Sequence, residues 1–348
     1  MKDLWQRLKE TDKPIALYGT GDGADKIIRK MRSDGTFTKV KGIFASDGFV
    51  RRRSFCGFDV ETYTSCKARL GDMIVLMCFG TSRPEVLEFI SRVRSENEFY
   101  APDVPVVGGN IFETAFYENN KDDIDAVRAV LSDELSRRTF DDTIKNKLTG
   151  DVSYLEDCEV SQSEADSLLS FGSPTTMVDL GADTGDTVLR YTELFDKIDK
   201  IFAVEPDPRN FRKLLENTAG LDITCINALI GDKPGTSTIA TGRSRGRGVR
   251  DLSDKGGIDI AVTTVDDILK GSPAGFIKMD VEGAELAAIE GARGTIAAFR
   301  PQMQIACYHR SEDIWTIPLK VLSIQKEYRV YMRHMPHIPG WDTLFYFI

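Results

Sequence analysis

The stretch MVDLGADTGDTV, Met177–Val188, decides how this 348-residue chain is read. An apolar strand runs into a glycine turn, and the residues after Gly185 open a helix. In doubly wound sheets such a turn, at the carboxyl end of a buried parallel strand, is where ligands bind. Asp179, Gly181, Ala182, Asp183 and Gly185 are therefore candidate cofactor-binding residues. A dinucleotide fingerprint would read G-x-G-x-x-G, its backbone amides receiving a pyrophosphate. Here Asp183 stands where the second glycine would fall, and a carboxylate repels a pyrophosphate. Asp183 also tolerates a left-handed backbone, as Asn would. The turn favours a cationic ligand without phosphate, as S-adenosylmethionine is with its sulfonium and ammonium.

The stretches that follow repeat the strand–helix unit. Strands are expected at TTMVDLG, KIFAVEPD, ITCINALI, GFIKMDVEG and PQMQIACYH, with helices such as PRNFRKLLENTAG and AELAAIEGARGTIAAF between them. Glu205 closes the second strand at the spacing of ribose-binding acids, with Asp207 just beyond it. The other reading of Glu205 is an ordinary acid at a strand end. Asn227 and Ala228 end the third strand, where an adenine would lie; Asn227 contacts the ring or shapes the turn. The last apolar stretches, YRVYMRHM and DTLFYFI, are separated only by a short loop and should pair antiparallel. The expected fold is α/β: a Rossmann-like sheet whose terminal strand is reversed, similar to the class I methyltransferase fold.

The motifs DLGADTG, VEPDP, INALIGD, TTVDDIL, IKMDVEGAELAAIEGA and a closing YH occur in this order. Together they resemble the FkbM family of methyltransferases over about residues 140–348. The resemblance implies transfer of a methyl group from S-adenosylmethionine to oxygen, typically on a sugar or a polyketide-like hydroxyl. Asp183 departs from the family, which usually has Asn there.

Methyl transfer is an in-line displacement, so the acceptor oxygen must be aligned and its proton removed. Asp280 ends the fourth strand and His309 the fifth. Adjacent strands lie about 4.8 Å apart, so both side chains can reach one pocket. His309 is the candidate general base and Asp280 the candidate for orienting acceptor or cofactor. Glu282 is a third catalytic candidate, although its charge and that of Glu285 also suit a helix N-terminus without any chemistry. A divalent metal bridging Asp280 and His309 is the alternative, both being suitable ligand types. For His334 and His337 a loop role is expected. The stretch TGRSRGRGVR, residues 241–250, reads as a solvated loop or as an arginine lid for an acidic or phosphate-bearing acceptor.

Ahead of this domain, PIALYGTGDGADKIIRKM reads strand, glycine turn, helix, with Gly19, Gly21 and Gly23 in the turn. VKGIFASD, DMIVLMCF and VPVVGG are expected as further strands, and Leu4, Trp5 and Leu8 mark a short docking helix. Residues 13–110 loosely resemble nucleotide-sugar-associated domains found at the front of some polysaccharide-modifying enzymes. Such a domain would present a nucleotide-linked sugar; the other reading is a docking module that supports a homo-oligomer. The expected organisation is a smaller Rossmann-like α/β domain at 1–112, a helical connector at 113–172 with its charges on a solvated face, and the main domain at 173–348. An NAD-dependent oxidoreductase or epimerase is the competing function, and a catalytically silent binding protein is a third. A net charge of -9 disfavours a nucleic-acid partner. No apolar run reaches the ~20 residues of a membrane span. Six scattered cysteines without CxxC spacing fit reduced thiols in a cytoplasmic protein.

Overall fold

The computed structural model describes residues 2–46, 54–171, 175–195, 198–240 and 257–348. The first sheet contains β1 (Ile15–Tyr18), β2 (Val40–Ala45), β3 (Ser54–Phe55), β4 (Phe58–Thr62), β5 (Ile74–Met77) and β6 (Glu98–Tyr100), in the order β3-β4-β2-β1-β5-β6. Every pairing in it is parallel except that of β3 with β4. β1 and β5 are buried along their whole length, as expected of strands covered on both faces. VPVVGG is not a strand. The last strand of this sheet is instead Glu98–Tyr100, and the Pro-Gly-rich segment after it leaves the sheet to cross the other half of the molecule.

The larger sheet contains β7 (Thr175–Leu180), β8 (Ile198–Val204), β9 (Ile223–Ile226), β13 (Phe276–Met279), β14 (Gln302–Ala306), β15 (Val330–His334) and β16 (Thr343–Phe347). Its order is β15-β16-β14-β13-β7-β8-β9, and β16 alone runs against its neighbours. This is the class I methyltransferase arrangement, with β7 at the switch point and the reversed strand inserted near one edge. ITCINALI is two strands rather than one. After Ile226 the chain breaks, and β10 (Leu229–Ile230) joins β11 (Gly235–Ala240) and β12 (Gly257–Thr263) in a small separate sheet. The stretch at 241–250 lies outside the described residues.

Along the chain, the helices Thr114–Asn119, Lys121–Val130 and Glu134–Thr149 come after the first sheet and before the second. The longest is capped by Asp133, which accepts from the Ser136 amide, and ends at Gly150 in the left-handed region. Their apolar faces, including Ile124, Val127, Phe140 and Ile144, belong to the same core as β13 and β14, together with Phe112. The charges of the long helix are not all solvated: Asp142 and Lys147 are buried, and Lys147 pairs with Asp103 from the first half of the chain. Among the described residues no helix is long and apolar enough to cross a membrane.

Candidate active site

The turn after β7 is closed by neighbouring backbone. A Cβ at Gly181, whose φ is +77°, would overlap the Asp280 carbonyl, so only glycine lets the ends of β7 and β13 approach this closely. The amides of Gly181 and Ala182 both donate to the Val204 carbonyl at 3.0 Å. Asp183 adopts the left-handed conformation, with φ +46°. Gly185 precedes the helix Asp186–Leu194 as its N-cap.

Glu205 lies almost wholly buried beneath this turn. Its Oε2 accepts from the Asp183 amide at 2.9 Å, and its Oε1 from the Asp207 amide at 2.7 Å. Burial pushes its carboxyl up to about 7 in spite of these two amides. Asp207 caps the helix Pro208–Asn217, accepting from the Arg209 and Asn210 amides. Asn227 donates to the carbonyls of Glu205 and Pro206, which is the turn-shaping reading. Ala182 and Ala228 are both buried. Asp179 has no exposed surface; it stands 3.3 Å from Lys278 Nζ, which also donates to the Gly181 carbonyl at 2.8 Å.

One strand away, Asp280, Glu282 and His309 come together at the ends of β13 and β14. His309 Nε2 lies 3.5 Å from Asp280 Oδ1 and 3.6 Å from Glu282 Oε2, while Nδ1 lies 2.9 Å from Glu285 Oε1. Glu285 is almost fully buried and also accepts from the Val281 amide, so the turn after β13 and the imidazole share this carboxylate. The Tyr308 hydroxyl donates to Asp280 Oδ1 at 3.2 Å. Burial works against charge on His309, but Glu285, Asp280 and Glu282 outweigh it and raise the imidazole to about 9. With no ligand it is therefore a cation at neutral pH, and to serve as a base it needs another positive charge to meet these carboxylates. Asp280, Glu285 and His309 can each offer a ligand atom within 4.8 Å of the others, which makes them a candidate donor set for a metal ion.

The sequence reading did not single out Lys278, Tyr308, Trp341 or Asp342. Tyr308 and Trp341 stack at 6.5 Å beside Asp280. The first half of the chain also reaches this site. The Val107 amide donates to the His309 carbonyl, Val107 packs on Gly283, and Gly80 lies against the Trp341 ring.

Residues 179–335 match the family described as Methyltransferase FkbM domain. A crystal structure of methyltransferase FkbM from Methylobacillus flagellatus KT superposes with a TM-score of 0.71 at 22% identity, covering 97% of this chain and 90% of that one. This likeness shows a shared fold across both sheets. Aeropyrum pernix fibrillarin, solved with S-adenosyl-L-methionine bound, overlaps 54% of this chain and 74% of its own at 16% identity, with a TM-score of 0.34. A precorrin-6y C5,15-methyltransferase from Geobacter metallireducens GS-15 overlaps 55% of this chain and 93% of its own at 11% identity, also with a TM-score of 0.34. No weight rests on these two. Among curated proteins no sequence matches. Over residues 179–335, then, this chain is similar to a methyltransferase FkbM domain.

Proposed function

We propose that this domain moves a methyl group from S-adenosylmethionine to a hydroxyl of a sugar, glycan precursor or related metabolite. The observation that carries this reading is Asp183 in the switch-point turn, where a dinucleotide would need a glycine amide facing phosphate, with Glu205 beneath it at the position of a ribose-binding acid. S-adenosylmethionine supplies an electrophilic methyl on a cationic sulfur. Glu205 has lone pairs left to accept ribose hydroxyls, and the backbone of Gly181 to Gly185 forms the wall of the crevice. Asp280, beside the turn, accepts from the acceptor hydroxyl and orients it. His309, one strand further, takes the acceptor proton at Nε2 once a bound cation has offset the surrounding carboxylates.

A second reading is supported by the donor set of Asp280, Glu285 and His309. A divalent cation held there would lower the pKa of a coordinated hydroxyl. Calorimetry with S-adenosylmethionine and with NAD tests the cofactor, and binding of NAD alone would sink the proposal. Transfer of a labelled methyl group across an acceptor panel, before and after exhaustive chelation, tests the chemistry and the metal.

A further inference from the structure

A cleft of about 110 Å³ opens where three parts of the chain meet. Leu87 and Ile90 come from the helix Pro84–Glu96 of the first half, Leu155 and Glu159 from the connector, and His334 and Ile338 from the terminal hairpin. Backbone fixes these walls. The Val160 amide donates to the His334 carbonyl at 2.8 Å, and Thr81 and Ile338 exchange two hydrogen bonds.

His334 is not the loop residue expected of it. It closes β15 and has no exposed surface. Its Nδ1 lies 2.9 Å from Thr343 Oγ1, whose single proton goes to the Gly340 carbonyl at 2.7 Å. The imidazole is therefore the donor to Thr343, which puts its proton on Nδ1 and leaves Nε2 a bare lone pair. Nε2 is buried and has no hydrogen-bond partner among the described residues. Burial pushes the ring down to about 3, so it stays neutral and Nε2 stays an acceptor. Buried acceptors are nearly always met by a donor, and this one calls for a donor from outside the chain.

The rest of the lining favours a cation with an apolar body. Glu156 and Glu159 border the cleft, and no lysine or arginine is among the described residues that line it. Glu156 is met by Arg94, whereas Glu159 has no ion-pair partner among the described residues. Burial and the neighbouring charge of Glu156 raise the Glu159 carboxyl. Leu87, Ile90, Leu155 and Ile338 supply apolar walls. A cavity of about 150 Å³ holds benzene, so this one has room for a smaller ring or a short chain.

We infer that this cleft binds a small organic amine, whose ammonium meets Glu159 and whose other end gives a neutral N–H or O–H to His334 Nε2. The proposal stands apart from the methyl-transfer reading. An occupant ties the first half, the connector and the hairpin together. It also bears on the loop beside Tyr308, because His337 lines the cleft and stacks on Trp341 at 5.4 Å.

Histamine is the probe, used on the full chain at about pH 8, where its ring is neutral and its amine charged. Calorimetry should show saturable binding in the millimolar range or tighter. Urocanate, which carries a carboxylate in place of the ammonium, should not bind. Glu159→Gln should weaken histamine about threefold, as expected for a partly exposed ion pair. Leu155→Trp, which fills the cleft from its wall, should abolish binding while the melting temperature shows the chain still folded. No saturable binding by the parent, equal binding of urocanate, or undiminished binding by Leu155→Trp would overturn the proposal.

Imidazole NMR locates the amine without any variant. Histamine should move the ring resonances of His334. Movement of the His309 resonances alone would place the amine at Asp280 and Glu282 and would also overturn the proposal.

Discussion

Lys278 stands directly opposite Asp179 across the β7–β13 ladder, its Nζ 3.3 Å from Asp179 Oδ1 and 2.8 Å from the Gly181 carbonyl. One ammonium thus balances a carboxylate with no exposed surface and also pins the glycine turn after β7. Burial opposes the charge on Lys278, but Asp179, Asp280 and Asp186 hold its pKa above the usual lysine range. Lys278→Met should cost about 3–5 kcal/mol, because it strands the buried carboxylate. The double variant Asp179→Asn with Lys278→Met should recover most of that loss. Urea denaturation of the three proteins checks both expectations. A single variant as stable as the parent would refute the pairing.

Glu205 gives a pH-dependent signature. Its folded pKa of about 7 lies above the ordinary 4.5 because the group is buried, so ionising it opposes folding. Stability from this group is complete below the unfolded pKa and declines as pH rises through 7, by up to roughly 3 kcal/mol. Cofactor binding should move in the opposite direction, since only the carboxylate accepts from both ribose hydroxyls. The affinity for S-adenosylmethionine should therefore rise severalfold from pH 6 to pH 8. Glu205→Gln should bind weakly and lose this dependence. Calorimetry at the two pH values, on parent and variant, decides it.

These residues also mark what the sequence made readable. The glycine turn, the acid ending β8 and the reversed strand follow from patterns a few residues long: strand period, turn chemistry and a short loop. The juxtaposition of Asp280 and His309 followed from strand adjacency. Lys278 was overlooked although a lysine inside the apolar run FIKM is itself a signal, since a buried ammonium demands a partner. The Tyr308–Trp341 stack was not legible, because it joins residues 33 positions apart through a loop whose path is set by contact with Gly80. VPVVGG was read as a strand because a short apolar run does not distinguish a strand from an extended segment packed on a neighbouring surface. The burial of Lys147 depended on Asp103, another tertiary partner.

His309 offers a third prediction. Its pKa of about 9 lies above the usual 6.5, so its ion-pair contribution is complete below pH 6.5 and is lost as pH rises through 9. In the unliganded protein the imidazole resonances should titrate with a midpoint near 9, and Glu285→Gln should lower that midpoint. His309→Ala should reduce kcat by about 10²–10⁴-fold with cofactor affinity unchanged. Titration at an ordinary midpoint in the parent would remove the carboxylate cage as an account of this histidine.

The two halves of the chain should not separate cleanly at residue 112. Phe112 is fully buried within the core that includes β13, β14 and the helix Asp313–Ile324, where its ring meets Trp315 at 6.2 Å. Deleting such a side chain costs about 3–5 kcal/mol, through lost transfer energy and the cavity left behind. Asp103 supplies the partner of the buried Lys147, and Val107 covers the turn at Gly283. A fragment beginning at 113 lacks all three contacts, whereas one beginning at 102 keeps them but loses the first sheet. Phe112→Ala in the full chain should lower the melting temperature by several degrees, and the 113–348 fragment should melt well below the 102–348 fragment. Both comparisons are made by calorimetric scanning. Equal melting of the two fragments would show that residues 102–112 contribute nothing to the larger core.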